Sequence, residues 1–173
     1  IGVSARDPRF VYGGCYQGLI DEADQRTNLS RAIMAYPEMN LTERTDSTRY
    51  RFNWTAPIVV SQHDANVIYH GGNVLLDDGV LSLTRDGGAT WTNITPSDAG
   101  DGLVNEIEVS PFDPATVWMV YRRDRVGDPT PLIYKSTDYG KTWTPITNGI
   151  AARRHRACRT WRRARVAAGA TPG

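Results

Sequence analysis

Little in this sequence could hold a metal, a disulfide framework or a bilayer. Only two cysteines, Cys15 and Cys158, occur in 173 residues. They make no framework and no metal-binding spacing, so they read as unrelated free thiols. The histidines His63, His70 and His155 form no ligand motif, and no phosphate-cradling glycine loop is present. No metal and no cofactor are therefore expected. No apolar run approaches the roughly 18 residues that would suggest a membrane span. The opening Ile1-Gly2-Val3 carries neither an initiator Met nor a basic-then-apolar leader, so no signal peptide is expected within this stretch, whatever a longer parent carries. A convincing long helical period is missing too. Hydrophobic content of 40% and charge of 23% fit a soluble globular class rather than a disordered or membrane one.

Acid is missing from one part of the chain. All 19 acidic residues lie in 1–150 with 13 Lys and Arg, while 151–173 holds seven Arg, seven Ala and no acid. A block of this kind suits a basic arm for nucleic acid. That reading ranks below a plain disordered basic tail, so nucleic acid is not an expected partner. The preferred reading is a frameshifted start of another repeat. With common Arg codons, a one-nucleotide shift turns the stretch from His155 to Trp161 into Ile-Ala-Arg-Val-Val-Arg-Gly, which has the look of a strand.

What is present is repetition, and a repeat governs the whole fold. Thr84-Arg85-Asp86-Gly87-Gly88-Ala89-Thr90-Trp91 and Ser136-Thr137-Asp138-Tyr139-Gly140-Lys141-Thr142-Trp143 both read [Ser/Thr]-x-Asp-x-Gly-x-Thr-Trp, with aspartates 52 residues apart. A second phrase runs in phase with them: Val3-Ser4-x-x-Asp7 with Val11-Tyr12, Val60-Ser61-x-x-Asp64 with Ile68-Tyr69, and Val109-Ser110-x-x-Asp113 with Val117-Trp118. Its serines are 57 and 49 residues apart. A shared period of about 50 residues is that of a propeller blade.

The chemistry of each phrase agrees. Val-Ser-x-x-Asp followed by an aromatic or aliphatic pair reads as strand, tight turn, strand, with Asp accepting backbone N–H groups and Pro8 and Pro114 pre-setting φ. In the octet, the Asp carboxylate accepts N–H groups of its own hairpin, the Gly two residues later supplies a positive φ, and the Trp opens the next strand with a large ring to bury. Thr84, Asp86, Gly88, Thr90, Trp91 and Ser136, Asp138, Gly140, Thr142, Trp143 are accordingly read as architecture and not as catalysis.

The expected fold class is all-β: a β-propeller fragment of about three four-stranded blades, spanning about 1–48, 49–100 and 101–150, in an incomplete ring, with 151–173 as a tail. Strands are expected near 1–4, 9–13, 16–20 and 31–35; near 56–61, 66–70, 79–84 and 90–94; and near 103–110, 116–121, 131–136 and 142–147. The first blade's octet reads as missing or degenerate. Asp77-Asp78-Gly79 reads as an added hairpin, and 38–48 as a loop between blades.

The octets resemble the Asp-box, or bacterial neuraminidase repeat, of sialidases, xyloglucan-cleaving endoglucanases and sortilin-type receptors. The phrases Tyr50-Arg51-Phe52-Asn53-Trp54-Thr55-Ala56-Pro57-Ile58, Asn66-Val67-Ile68-Tyr69-His70 and Leu132-Ile133-Tyr134-Lys135-Ser136 narrow the likeness to large bacterial exported proteins with sortilin-like propellers, often labelled only as glycosyl hydrolase or repeat proteins. The resemblance covers about 1–150. It implies an extracellular or periplasmic protein, and an Asp-box on the outer rim, away from the ligand channel.

Propeller ligands are expected where inner-strand ends and loops meet that channel. Arg51, Asn53 and Trp54 precede an inner strand and offer charge, amide bonds and ring stacking to a carbohydrate or a peptide carboxylate. Tyr121, Arg122 and Arg123 form a second polar-aromatic cluster. For both sets the competing reading is ordinary packing and solvated loop. Glycoside hydrolysis needs two carboxyl groups flanking the bond, and no spacing singles out a pair among Asp77, Asp78, Glu106, Glu108 and Asp124. The Asn-x-Ser/Thr sequons at Asn28, Asn40, Asn53 and Asn93 carry no weight. The leading expectation is a non-catalytic, extracytoplasmic scaffold binding a protein or glycan, with the remaining blades of its ring as partners and no membrane. The alternative is part of a glycoside hydrolase of sialidase or xyloglucanase type.

Overall fold

Short β-branched and aromatic runs bounded by Asp, Pro and Gly turns form twelve strands in the computed structural model, which describes residues 1–4, 7–15, 18–36, 56–72, 80–124 and 127–150. They are β1 (Gly2–Val3), β2 (Phe10–Gly14), β3 (Ile20–Asp24), β4 (Leu29–Ala32), β5 (Ile58–Val60), β6 (Ile68–Gly71), β7 (Leu81–Thr84), β8 (Thr92–Asn93), β9 (Leu103–Val109), β10 (Val117–Arg122), β11 (Leu132–Ser136) and β12 (Thr144–Pro145). Every pairing is antiparallel, and the strands make three four-stranded meanders, β1 to β4, β5 to β8 and β9 to β12. The first strands of successive sheets lie together, β1 against β5 and β5 against β9. That is the radial stacking of propeller blades around inner strands.

Alternation along each strand feeds two interfaces. In β6, Ile68 faces the first blade with Tyr12, Ile20, Ile33 and Ile58. Its neighbour Tyr69 faces the third with Leu81, Leu83, Val104 and Met119. A strand packed on both sides has no solvent face, which is why β6 and β7 are buried throughout. Full burial of each Leu or Ile there contributes about 1.5–3 kcal/mol. Gly71 is required by closeness: a Cβ there would lie 2.5 Å from Val104 Cγ1.

The first blade departs from the expected strand map. Its third and fourth strands lie at Ile20–Asp24 and Leu29–Ala32 rather than near 16–20 and 31–35. Gly18, with φ at 74°, turns the chain before β3, and the acidic β3 is held by cations across the sheet. Arg9 grips both oxygens of Asp24, Nε at 2.6 Å from Oδ1, and Arg31 Nε lies 2.7 Å from Glu22. The Arg9 guanidinium, ahead of the Arg26 N–H and the Thr27 hydroxyl, holds the Asp24 carboxyl far below its ordinary range. A compact turn closed by Asn28 N–H to the Asp24 carbonyl at 2.9 Å stands where the other blades carry octets. The expected loop at 38–48, the added hairpin at 77–79 and the tail at 151–173 lie outside the described residues.

Candidate functional site

A meander sends its first and third turns to one end of the sheet and its second turn, with the links between blades, to the other. The two ends are built differently.

The first end, the hairpin rim, is repeated. Three Ser-x-x-Asp turns close in the same way. Asp7, Asp64 and Asp113 accept the N–H of Arg9, Asn66 and Ala115 through Oδ1 at 3.1, 2.9 and 3.0 Å. The serine hydroxyls of Ser4, Ser61 and Ser110 accept turn N–H groups from Asp7, His63 and Asp113. In the octets, Thr84 and Ser136 donate their hydroxyls to Oδ1 of Asp86 and Asp138, both at 2.7 Å. They accept the N–H of Gly88 and Gly140 at 2.9 and 2.8 Å. The same Oδ1 atoms accept the N–H of Thr90 and Thr142, both at 2.9 Å, while Oδ2 takes their hydroxyls at 2.5 and 2.6 Å. With so many donors, led by the Thr90 and Thr142 hydroxyls, each carboxyl is pulled down to about 2. The octets also join the Ser-x-x-Asp turns: Gly87 and Tyr139 donate their N–H to the carbonyls of Asn66 and Ala115, both at 3.0 Å.

The octet does more than fasten its own hairpin. The indole N–H of Trp91 donates to the Ile33 carbonyl of the first blade at 2.9 Å, and that of Trp143 to the Ile94 carbonyl of the second at 2.6 Å. Ile33 and Ile94 hold equivalent places just after a fourth strand, their N–H groups bonded to Ile20 and Leu81. Gly88 and Gly140, with φ at 91° and 82°, lie so close to these isoleucines that a Cβ would come within 2.5 Å of each. The octet is therefore a clasp between blades. A spacing argument within one hairpin could not show this, because the acceptor is a main-chain carbonyl some fifty residues away. Side chains extend the clasp: Arg31 donates to the Gly87 carbonyl at 2.9 Å, and Arg85 stacks on the Tyr139 ring at 4.3 Å.

The opposite end, the loop rim, is described best in the third blade. In the third blade an irregularity in the β9–β10 pairing between Val120 and Tyr121 leaves Asn105 outside the ladder. Such bulges re-aim side chains, and here Asn105 Oδ1 accepts Arg122 Nη1 at 3.2 Å. Arg122 also forks onto Asp124 at 3.1 and 2.6 Å, and Arg123 pairs with Asp128 at 3.4 Å. Tyr121 is a core residue, 1% exposed, with its hydroxyl donating to the Gly100 carbonyl at 2.7 Å. Of the predicted cluster, Arg122 and Arg123 reach solvent and Tyr121 does not. Arg51, Asn53 and Trp54 lie outside the described residues, as do Asp77 and Asp78. Glu106 and Glu108 are half-buried on β9. His70 is buried with Nδ1 3.3 Å from the Pro57 carbonyl oxygen and its ring edge-on to Trp91. Desolvation lowers its pKa to about 4, so it packs as a neutral ring. Among the described residues, no group of three or more His, Cys, Asp or Glu could hold a metal ion, and no helix is long and apolar enough to cross a membrane.

Neither a protein-family model nor a curated protein matches the chain. Solved structures do match in fold. One, described as YCF48 bound to D1 peptide, is 17% identical with a TM-score of 0.52, covering 84% of this chain and 37% of the other. A GH74 xyloglucanase from Xanthomonas campestris is also 17% identical, with a TM-score of 0.56, covering 79% of this chain and 18% of the other. The chain thus spans well under half the length of either. With the sheets described above, the likeness defines the class: an all-β, incomplete propeller fragment of three blades.

Proposed function

We propose that this chain is part of an exported, non-catalytic propeller scaffold that binds a protein or glycan at its loop rim. In this reading the octets are Asp-box hairpins of the sortilin-like type and other blades complete the ring. Arg122, with Arg51, Asn53 and Trp54, supplies the ligand contacts. The observation that carries the reading is the contrast between ends. Polar groups at the hairpin rim are held in repeated internal bonds, whereas the described part of the loop rim presents a bulge-directed Arg122–Asn105–Asp124 cluster in the third blade. Loops on a rigid frame are where binding residues concentrate. A peptide-bound propeller among the structural neighbours favours a protein ligand. The xyloglucanase neighbour favours the second reading, part of a glycoside hydrolase. Fold alone decides neither.

A calorimetric screen of the chain and its full-length parent against peptide pools, xyloglucan oligosaccharides and sialylated glycans tests the proposal. Binding that Arg122→Ala or Trp54→Ala weakens at least tenfold, without turnover, supports the scaffold. Turnover lost on a single Asp→Asn or Glu→Gln change replaces it with the hydrolase. Binding left intact by every loop-rim variant sinks it.

A further inference from the structure

Four arginines form ion pairs among the described residues, and one of them is unlike the rest. Arg9 forks onto both oxygens of Asp24, Arg31 onto Glu22 and the Gly87 carbonyl, and Arg122 onto Asp124 and Asn105. The side chain of Arg123 is 32% exposed, the least of the four. Its one described ion-pair contact is Asp128 at 3.4 Å, and its Nε–H is buried with no hydrogen-bond acceptor. A buried donor left in this way is an exception that calls for a cause.

Asp128 is engaged elsewhere. Its Oδ1 accepts the N–H of Thr130 at 2.8 Å. The Thr130 hydroxyl first and the Thr130 N–H second hold the Asp128 carboxyl below its ordinary range, with the Arg123 charge a lesser cause. The Arg123 side chain instead lies along the link between the second and third blades. A Cβ at Gly102 would come 3.0 Å from Arg123 Cγ, and one at Gly100 would come 3.9 Å from its Cζ and Nη2. Two glycines thus leave room for the arginine, while the Gly100 carbonyl is already bonded to the Tyr121 hydroxyl. A cation is held at the loop rim with its donors unused.

We infer that Arg123 is a charged anchor of the loop rim and that it takes a carboxylate carried by a peptide. The planar fork of a guanidinium matches a carboxylate two bonds at a time. Turning Arg123 outward to bring Nε into that fork breaks no described hydrogen bond and loosens only the 3.4 Å pair with Asp128. The inference rests on the reading that the loop rim binds a ligand, and it names the charge that the ligand brings. Arg122 is already met by Asp124 on two nitrogens, so its remaining N–H groups suit a neutral acceptor beside the carboxylate. A peptide is favoured over an acidic sugar because Tyr121, the aromatic of this cluster, is turned into the core and offers no ring face for stacking.

The test follows the Arg123 Nε–H of the full chain by NMR, assigned through its loss in Arg123→Gln, while short peptides are added. One peptide is a blocked oligoglycine with a free C-terminal carboxylate, and another carries a central Asp and an amidated end. The control carries Asn and an amidated end. Expected is a shift of the Arg123 resonance with a carboxylate peptide, the tighter of the two identifying the source, and none with the control. Arg123→Gln weakens that binding about tenfold, and Arg123→Lys, which keeps the charge and loses the fork, falls between. Asp128→Asn removes a competing carboxylate and tightens it about threefold, which an arginine that merely packs against the link would not produce. An Arg123 Nε–H that ignores every carboxylate overturns the inference, since an ordered water then satisfies it. Binding that falls with Arg122→Ala but not with Arg123→Gln also overturns it, while leaving the loop-rim reading standing. Glucuronate bound more tightly than either peptide overturns the choice of a peptide. If Arg123→Gln unfolds the chain, as its melting midpoint reports, the Asp128→Asn variant still decides: binding unchanged there overturns the anchor.

Discussion

At the hairpin rim the second and third blades repeat the same bonds within about a tenth of an ångström, from the Thr84 and Ser136 hydroxyls to the Thr90 and Thr142 amides. At the loop rim the described parts of the first and third blades differ: Gly18 turns the first, and a bulge at Asn105 with paired arginines shapes the third. One end has been fixed by a joint that works at every interface, and a change there is felt twice, in the hairpin and in the neighbouring blade. Among the described residues the other end shows no such joint, so its residues are free to differ. Stability is concentrated at one end and variation at the other, as expected of a frame that carries recognition loops.

Two glycines with nearly the same backbone conformation separate these roles most sharply. Gly140 and Gly127 have φ at 82° and 88°, so alanine strains both alike. At Gly140 the added carbon would also lie 2.5 Å from Ile94 Cδ1 and 3.2 Å from Trp143 Cζ2, whereas at Gly127 nothing lies within 4 Å. Gly140→Ala should therefore cost about 3–4 kcal/mol, combining left-handed strain with overpacking. Gly127→Ala should cost about 1 kcal/mol. Urea unfolding of the two variants measures the difference; equal losses would mean that the octet does not grip its neighbour.

Acid should take the ends apart in sequence. His70 lies near the loop end of β6, and burial lowers its folded pKa from the ordinary 6.5 to about 4. Its contribution is complete above pH 6.5 and is lost as pH falls towards 4, by about 3 kcal/mol in all. Asp86 and Asp138 at the hairpin rim, lowered from 3.8 to about 2, keep their contribution above pH 3.8 and lose it as pH falls through 2. Unfolding followed from pH 7 to pH 2 should show two descending limbs. His70→Gln removes the upper limb, and the paired Asp86→Asn and Asp138→Asn changes shrink the lower, to which Asp24 also contributes. An upper limb, between pH 6.5 and 4, that survives His70→Gln would refute the assignment.

These contrasts mark what could be read in the sequence. The octets and Ser-x-x-Asp phrases gave away blade type and strand order, because each motif closes its own turn through neighbours two to four residues away. What the motifs do between blades was not legible, since Trp91 and Trp143 spend their indole N–H on carbonyls of another sheet. The positive φ of 61° at Tyr139 was hidden as well. Its counterpart Gly87 adopts such an angle freely, while a tyrosine there is held by Arg85 stacked on its ring. In the first blade, β3 was misplaced because the run from Asp21 to Asp24 is too acidic to read as a strand until Arg9 and Arg31 are seen to neutralise it. Tyr121 followed by Arg122 and Arg123 looked like one polar cluster. Strand alternation instead sends the tyrosine into the core and leaves Arg122 at the surface.

The indole bonds are the next most sensitive point of the hairpin rim. Trp143→Phe keeps an aromatic ring but leaves the Ile94 carbonyl without its donor, at a cost of about 2 kcal/mol. One polar atom of the second interface runs the other way. The Tyr69 hydroxyl is buried without a hydrogen-bond partner among the described residues, and desolvation pushes its pKa well above the ordinary tyrosine value. Tyr69→Phe should stabilise the chain by about 1 kcal/mol, since an unpaired buried hydroxyl is removed with little change of shape. A loss of stability in that variant, measured by thermal unfolding, would reveal a partner for the hydroxyl and place a polar contact inside an interface otherwise built from apolar side chains.

The smallest effect belongs to the loop rim. Arg122 makes three hydrogen bonds, yet its side chain is 40% exposed and that of Asp124 is 38% exposed. An ion pair so open to water and salt contributes about 0–1 kcal/mol. Arg122→Ala should therefore move stability by no more than about 0.5 kcal/mol, against about 2 kcal/mol for Trp143→Phe at the other end. Chemical unfolding of both variants in one buffer gives the comparison directly. If Arg122→Ala proved as costly as Trp143→Phe, the arginine would be a structural brace, and the case for a recognition cluster at that rim would lose its best residue. A near-neutral change leaves Arg122 as a guanidinium held in place by Asn105 and Asp124 but not needed for folding, the condition under which a side chain can be kept for a ligand.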